Sequence, residues 1–150
     1  MSGNPPVRRQ TEPCRWEGID VHPYKEDGTL FKAVTRQTLF KGGHDLPVEF
    51  RYFEVGAGGH STLERHLHAH VVMVIRGGGE VLVGDEVFEI GMHDIVQIPP
   101  FTWHQFRARV AEVLGFLCIV NQERDRPQRP GAEELQDLRE SEDVADFIRH

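Results

Sequence analysis

Six of the nine histidines in this 150-residue chain fall within 45 residues: His60, His66, His68, His70, His93 and His104. Imidazole is the side chain whose ordinary pKa puts its charge change between pH 5 and 8, and it is also the commonest metal ligand. Glu64, His66, His68 and His70 alternate with Leu63, Arg65, Leu67 and Ala69. A strand over residues 62–72 therefore predicts three imidazoles and a carboxylate on one face. Turned into the interior of a closed barrel, that face becomes a ligand set for Zn, Fe, Mn, Cu or Ni. One strand cannot surround an ion, so a further ligand has to arrive from elsewhere in the chain. His104, placed after a proline turn, is the natural source. An exposed chelating strand and a pH-responsive strand are the competing explanations of the same spacing.

The segments that must position these residues read as short strands. Val48, Phe50 and Tyr52 alternate with Glu49, Arg51 and Phe53 after Pro47, with the period of two expected of a strand. Glycines at 56, 58 and 59 follow. Gly77, Gly78 and Gly79 predict a tight reversal, and Gly84-Asp85 between residues 80–83 and 86–90 predicts a hairpin. Further strands are expected at residues 30–35, 94–98 and 103–110. The nearly all-apolar run 113–120 is expected as a strand buried on both faces. Turn signals about every ten residues point to an all-β sandwich or barrel.

Three regions follow from composition: a flexible polar leader over residues 1–17, a barrel domain over 18–120, and a charged extension over 121–150. The extension carries nine acids and five arginines, and two short helices are expected at 132–140 and 142–149. The formal net charge of −7 argues against non-specific nucleic-acid binding and against a polybasic membrane contact. No apolar run approaches the ~20 residues of a spanning helix. The first residues carry no hydrophobic signal region, so a cytoplasmic protein is expected. Cys14 and Cys118 are too few, and too far apart, for a disulfide scaffold or a CxxC site.

The histidine region resembles a known family. Residues 58–77 read G-x5-E-x-H-x3-H-x6-G, with Gly58, Glu64, His66, His70 and Gly77 in phase. This is similar to the first cupin motif, G-x5-H-x-H-x3,4-E-x6-G. His93-x5-Pro99-x-Phe101-x2-His104 resembles the second, G-x5-P-x-G-x2-H-x3-N. Glu64 stands at the usual first histidine and His70 at the usual glutamate. His93 and Phe101 replace glycines, and Ala108 replaces the asparagine. A second register takes His66 and His68 as the HxH pair and loses the carboxylate position to Val72 or Met73.

The resemblance implies a cupin-type double-stranded β-helix, a jelly-roll barrel, with a short helical tail. It implies one divalent transition metal ion (Fe, Mn, Zn, Ni or Cu) held from Glu64, His66, His70 and His104, with His68 beside them. In the second register the set is His66, His68 and His104. Glu64 is expected either as a ligand or as a catalytic general base. The implied activity is that of a mononuclear, dioxygenase-like enzyme acting on a small organic substrate in the barrel; the alternative is a non-enzymatic cupin that binds a small molecule or metal. A homodimer is expected by the same resemblance, with residues 16–40 available to serve it. Arg51, Tyr52, Phe53, Gln97, Trp103 and Phe106 are candidates to line the interior. Cys118 is expected as a buried residue that could face the cavity, and Asp94 as a turn cap.

Overall fold

The computed structural model describes residues 5–23 and 32–150. Among the described residues, eleven strands and two helices follow one another. β1 (Gln10–Glu12) and β2 (Arg15–Trp16) form a small hairpin of their own. Residues 10–16, expected within a flexible leader, are therefore ordered. The reason is an anchor the polar composition conceals: Cys14 is buried, its carbonyl accepts from Gln37 Nε2 at 2.9 Å, and Trp16 packs edge-on against Tyr52.

The remaining strands form one curled antiparallel sheet. β3 (His22–Pro23), β4 (Lys32–Phe40) and β5 (Val48–His60) are followed by β6 (His70–Gly77), β7 (Gly79–Val83), β8 (Glu86–Ile90), β9 (Ile95–Ile98), β10 (His104–Ala108) and β11 (Leu114–Asn121). The path across the sheet is β8-β7-β10-β5-β11-β6-β9, with β4 also on β5 and β3 on β4. Strand β5 links the two halves. Its first part pairs with β11 from Val48 to Val55, and its last residue, His60, pairs with Arg107 of β10. The glycines at 56, 58 and 59 lie between these two pairings, where the register against β4 slips and the strand must bend. This curled antiparallel architecture is the jelly roll that the family resemblance implied.

Two glycine predictions part ways. Gly84, with φ 69°, turns β7 into β8 with the expected two-residue loop. The triple glycine does not make a hairpin, because β6 pairs with β9 and β11 whereas β7 pairs with β8 and β10. It carries the chain from one half of the sheet to the other. Gly77 has φ 60°, and a Cβ there would meet the Val113 carbonyl oxygen, so no other residue fits without displacement.

The run 113–120 becomes β11, in the middle of the sheet between β5 and β6. Its inward residues Leu114, Phe116, Cys118 and Val120 are buried, but Ile119 is 47% exposed, so burial on both faces holds only near its start. Ile119, Val71 and Met73 of β6 and Ile95 of β9 together leave an apolar strip on the outer face. The strand expected at 30–35 corresponds to β4; Leu30 and Phe31 lie outside the described residues, as do residues 24–29 of the segment expected to serve a dimer.

The helices α1 (Ala132–Leu138) and α2 (Glu142–Phe147) fold back onto the barrel. Leu138, Val144, Phe147 and Ile148 pack with Leu63 and Leu82, with Trp103 and Val87 at the edge. The main core, inside the sheet, is separate and includes Val55, Val72, Val74, Phe106, Leu114 and Phe116.

Candidate metal centre

The alternation expected over residues 62–72 does not survive as a strand. Residues 61–69 are irregular, with single bridges from Glu64 to His104 and from Arg65 to Gln128, and a bend at residues 67–68. The bend has a cause that local periodicity does not contain. The Asp125 carboxylate accepts from the backbone N–H of Leu67 (2.7 Å) and of His68 (3.0 Å), capping two donors that a straight strand would have given to a neighbour.

This loop is tied to the start of β10 by three backbone bonds. Glu64 N–H donates to the His104 carbonyl (3.2 Å), His104 N–H to the Glu64 carbonyl (3.0 Å), and Phe101 N–H to the His66 carbonyl (2.7 Å). On its other side Arg65 and Gln128 exchange both backbone bonds, at 3.0 and 2.8 Å. The Arg65 guanidinium also lies over the rings of Phe101 and Trp103. The two motif regions are thereby fixed against each other.

The result brings His66, His70 and His104 together, one ring nitrogen from each lying within 4.8 Å of the others. Ring tautomers follow from the partners. A carbonyl oxygen can only accept, so His66 Nδ1–H donates to the His68 carbonyl (2.6 Å) and His104 Nδ1–H to the Thr102 carbonyl (2.9 Å). Their Nε2 lone pairs are left for a Lewis acid, the arrangement found behind metal-bound imidazoles. His70 Nδ1 lies 3.3 Å from Cys118 Sγ, and its Nε2 is buried with no hydrogen-bond partner. A buried, orphaned imidazole nitrogen beside two others is the observation that fits this site to a metal ion.

The electrostatics agree. Burial holds His70 down at about 2, reinforced by His104 and His66. Burial also lowers His104, to about 4, against the Thr102 hydrogen bond that raises it. His66 is lowered by burial and then by His68. Three imidazoles kept neutral near neutral pH are three available ligands.

His68 and Glu64 line the same cavity but are not members of this cluster. The His68 ring stacks on His66 at 3.6 Å, nearly parallel, and its Nδ1 is 2.8 Å from Asp125 Oδ1. Asp125 is held below the ordinary carboxylate range by the Leu67 N–H first, and then by His68. It thus fixes the bend, His68, and through the His68 carbonyl the orientation of His66.

The cavity has a volume of about 230 Å³. This lies just under the ~300–1,000 Å³ of pockets for drug-sized ligands and suits a small molecule. Phe53, Phe106 and Phe116 stack along its wall, and Arg36, Arg51, Cys118, Arg124 and Asp125 complete the polar lining. Of the other residues expected to line the interior, Arg51, Phe53 and Phe106 do so. Tyr52 instead bonds Glu54 and packs on Trp16, Gln97 is exposed, and Trp103 packs toward the helices. Asp94 caps its turn by accepting from Gly91 N–H at 2.7 Å. Arg36, Arg124 and Asp125 were not foreseen. The one available signal was the Arg124-Asp125 pair immediately after a buried strand.

Comparison with known proteins supports this description. Residues 51–120 match the family model described as a cupin domain. The chain is 52% identical over 144 residues to 1-methylthio-D-xylulose 5-phosphate methylsulfurylase of Rhodospirillum rubrum, spanning 95% of this chain and 92% of that one. Among solved structures, a cupin 2 conserved barrel domain protein from Rhodopseudomonas palustris shares 53% identity, with a TM-score of 0.91, over 96% of this chain and 99% of its own. A cupin-2 domain protein from Rhodospirillum rubrum shares 52% identity, with a TM-score of 0.85, over 94% of each chain. With both motif regions, the curled barrel and near-full-length relatives in agreement, the chain belongs to the cupin superfamily.

Proposed function

We propose that this protein is a metal-dependent enzyme that removes the methylthio group from a small phosphorylated sugar, as the name of its Rhodospirillum rubrum relative describes. The observation that carries the reading is the converging histidine cluster, set in a small cavity of a chain 52% identical to that relative over nearly its whole length. His66, His70 and His104 would hold a divalent transition metal, which when bound supplies Lewis acidity toward a carbonyl or hydroxyl oxygen of the substrate. The chain's own residues do the rest. The phenylalanine wall excludes water, and the Asp125–His68 pair keeps His66 in its ligating tautomer. Glu64, the carboxylate at the His104 bridge, would deliver a proton to the carbon that loses sulfur, while an external thiol takes the methylthio sulfur as a mixed disulfide, so that the C–S and S–H bonds broken are matched by the C–H and S–S bonds formed.

The test is direct. The protein, exposed in turn to Fe, Mn, Zn, Ni or Cu, is incubated with 1-methylthio-D-xylulose 5-phosphate and a thiol acceptor. Loss of the methylthio group is followed by mass spectrometry, with an oxygen electrode in parallel. Metal-dependent loss of methylthio without O2 uptake supports the proposal. O2 uptake with an oxygenated product would support the dioxygenase-like reading instead, and saturable binding without product the non-enzymatic one.

The exposed strip of Val71, Met73, Ile95 and Ile119 is the surface we assign to a homodimer. Light scattering should give twice the chain mass, and Ile119→Lys should halve it.

A further inference from the structure

Arg51 projects from β5 into the cavity and is 7% exposed. Its guanidinium is a positive charge inside the barrel. Its Nη2 reaches Cys118 Sγ at 3.5 Å, its Nε is buried with no partner, and its Cζ lies 4.9 Å from the Phe53 ring centroid. Thiol sulfur is a weak acceptor and a ring face a weak anion substitute.

Among the described residues no carboxylate lies within ion-pair distance of Arg51. Glu49, two residues along the same face, is engaged by Arg124 at 3.1 Å. Asp125 is engaged by His68. Glu54 points to the opposite face, toward Arg76. A buried charge without a counter-ion is strongly unfavourable, and native structures pair or ligate such groups. Glu64, the further carboxylate on the cavity wall, is engaged in an interaction of its own and makes no ion pair with Arg51, which leaves Arg51 open to the negative charge of a ligand.

The register gives Arg51 a companion. Thr38 of β4 stands opposite Arg51 and Arg36 opposite Phe53, so Arg36 is the diagonal neighbour of Arg51 on the cavity face. Both line the same cavity as the histidine cluster. Arg51 Nη2 and His70 Nδ1 also touch the same Cys118 sulfur, at 3.5 and 3.3 Å. A small molecule can thus reach the histidines with one end and a guanidinium with the other.

We propose that Arg51, with Arg36 beside it, is the seat for the phosphate of a phosphomonoester substrate. The planar donor fork of arginine matches phosphate geometry, which a single lysine charge does not. This inference rests on the reading above that the substrate is phosphorylated, and it places that group in the cavity.

The experiment titrates D-xylulose 5-phosphate and D-xylulose separately into the purified full-length protein by calorimetry, for wild type, Arg51→Gln, Arg51→Lys and Arg36→Gln. Wild type should favour the phosphorylated sugar by at least about tenfold. Arg51→Gln should weaken that sugar roughly 10- to 100-fold, the worth of a lost charge-assisted contact, and leave D-xylulose unchanged. Arg51→Lys and Arg36→Gln should fall between. Equal wild-type affinity for the two sugars overturns the proposal, and so does an undiminished preference in Arg51→Gln. Should that variant fail to fold by circular dichroism, a wild-type preference that Arg51→Lys and Arg36→Gln leave intact overturns it equally.

The methylthio assay separates the two readings. An Arg51-dependent phosphate preference without turnover keeps the seat and sinks the methylsulfurylase reading. Turnover by Arg51→Gln with unchanged KM does the reverse.

Discussion

Neighbouring residues of β10 meet opposite fates. His104 points into the cavity and Gln105 points the other way, toward the C-terminal helices, as alternation along a strand requires. Gln105 is fully buried and fully served: its Nε2 donates to the Ser61 carbonyl (2.8 Å) and the Arg149 carbonyl (2.6 Å), and its Oε1 accepts from Arg149 N–H (2.9 Å). On the cavity side, His70 Nε2 and Arg51 Nε are buried without partners. The difference separates polar groups that hold the fold from polar groups that wait for something to hold. A closed network lowers the free energy of the chain alone, whereas an open one is stabilised only with its ligand.

The largest way to sharpen this contrast is pH. For protein stripped of metal by chelator, His70 at about 2 and His104 at about 4 lie below their unfolded value of ~6.5. Between pH 6.5 and 4 the unfolded chain binds protons that the folded chain refuses. The stability from these neutral imidazoles is therefore complete above about pH 6.5 and is lost as pH falls, through about 4 for His104 and on toward about 2 for His70. Chemical denaturation at stepped pH should show this slope, and His70→Ala with His104→Ala should flatten it. An unflattened slope would place the titrating groups elsewhere.

Next is Gln105→Leu, which strands the Arg149 N–H and carbonyl and takes from the Ser61 carbonyl one of its two partners, the other being His60 Nδ1 at 3.0 Å. It should cost about 2–4 kcal/mol and lower the melting temperature by several degrees, without changing metal content. Loss of metal in that variant would mean the two faces are not separable.

Asp125→Asn keeps the shape but removes the charge that holds His68 and the bend. Metal affinity should fall about tenfold, the low end for groups that orient a ligand, as read by competition with a chelator. The smallest effect is on the helical side. Ser141 caps α2 by accepting from Val144 N–H at 3.4 Å, and Ser141→Ala should cost ~0.5–1 kcal/mol in a thermal melt, with metal affinity unmoved.

Much of the barrel was legible because its signals are local. The β7–β8 hairpin is written in Gly84-Asp85, and the central β11 in its apolar run. His66 and His104 stood out because both registers of the resemblance to the cupin motifs include them. What was hidden depends on partners distant in sequence. The bend that breaks the expected strand is made by Asp125, 57 residues from His68, in a stretch whose charge and proline content read as an extended tail. The leader became a hairpin through Cys14 and Trp16, two residues among polar neighbours. Arg51 was visible as a strand residue, but its significance lies in the carboxylate that is not beside it, and no single sequence displays that.

The central claim is that His66, His70 and His104 hold one metal ion. It is tested most directly by elemental analysis of the protein after exposure to Fe, Mn, Zn, Ni or Cu and removal of excess, for wild type and for each histidine-to-alanine variant. The account predicts about one tightly held ion per chain in wild type and its loss in all three variants, with the barrel still folded by circular dichroism. Metal content unchanged by His70→Ala or His104→Ala, or no retained metal in wild type, would contradict it.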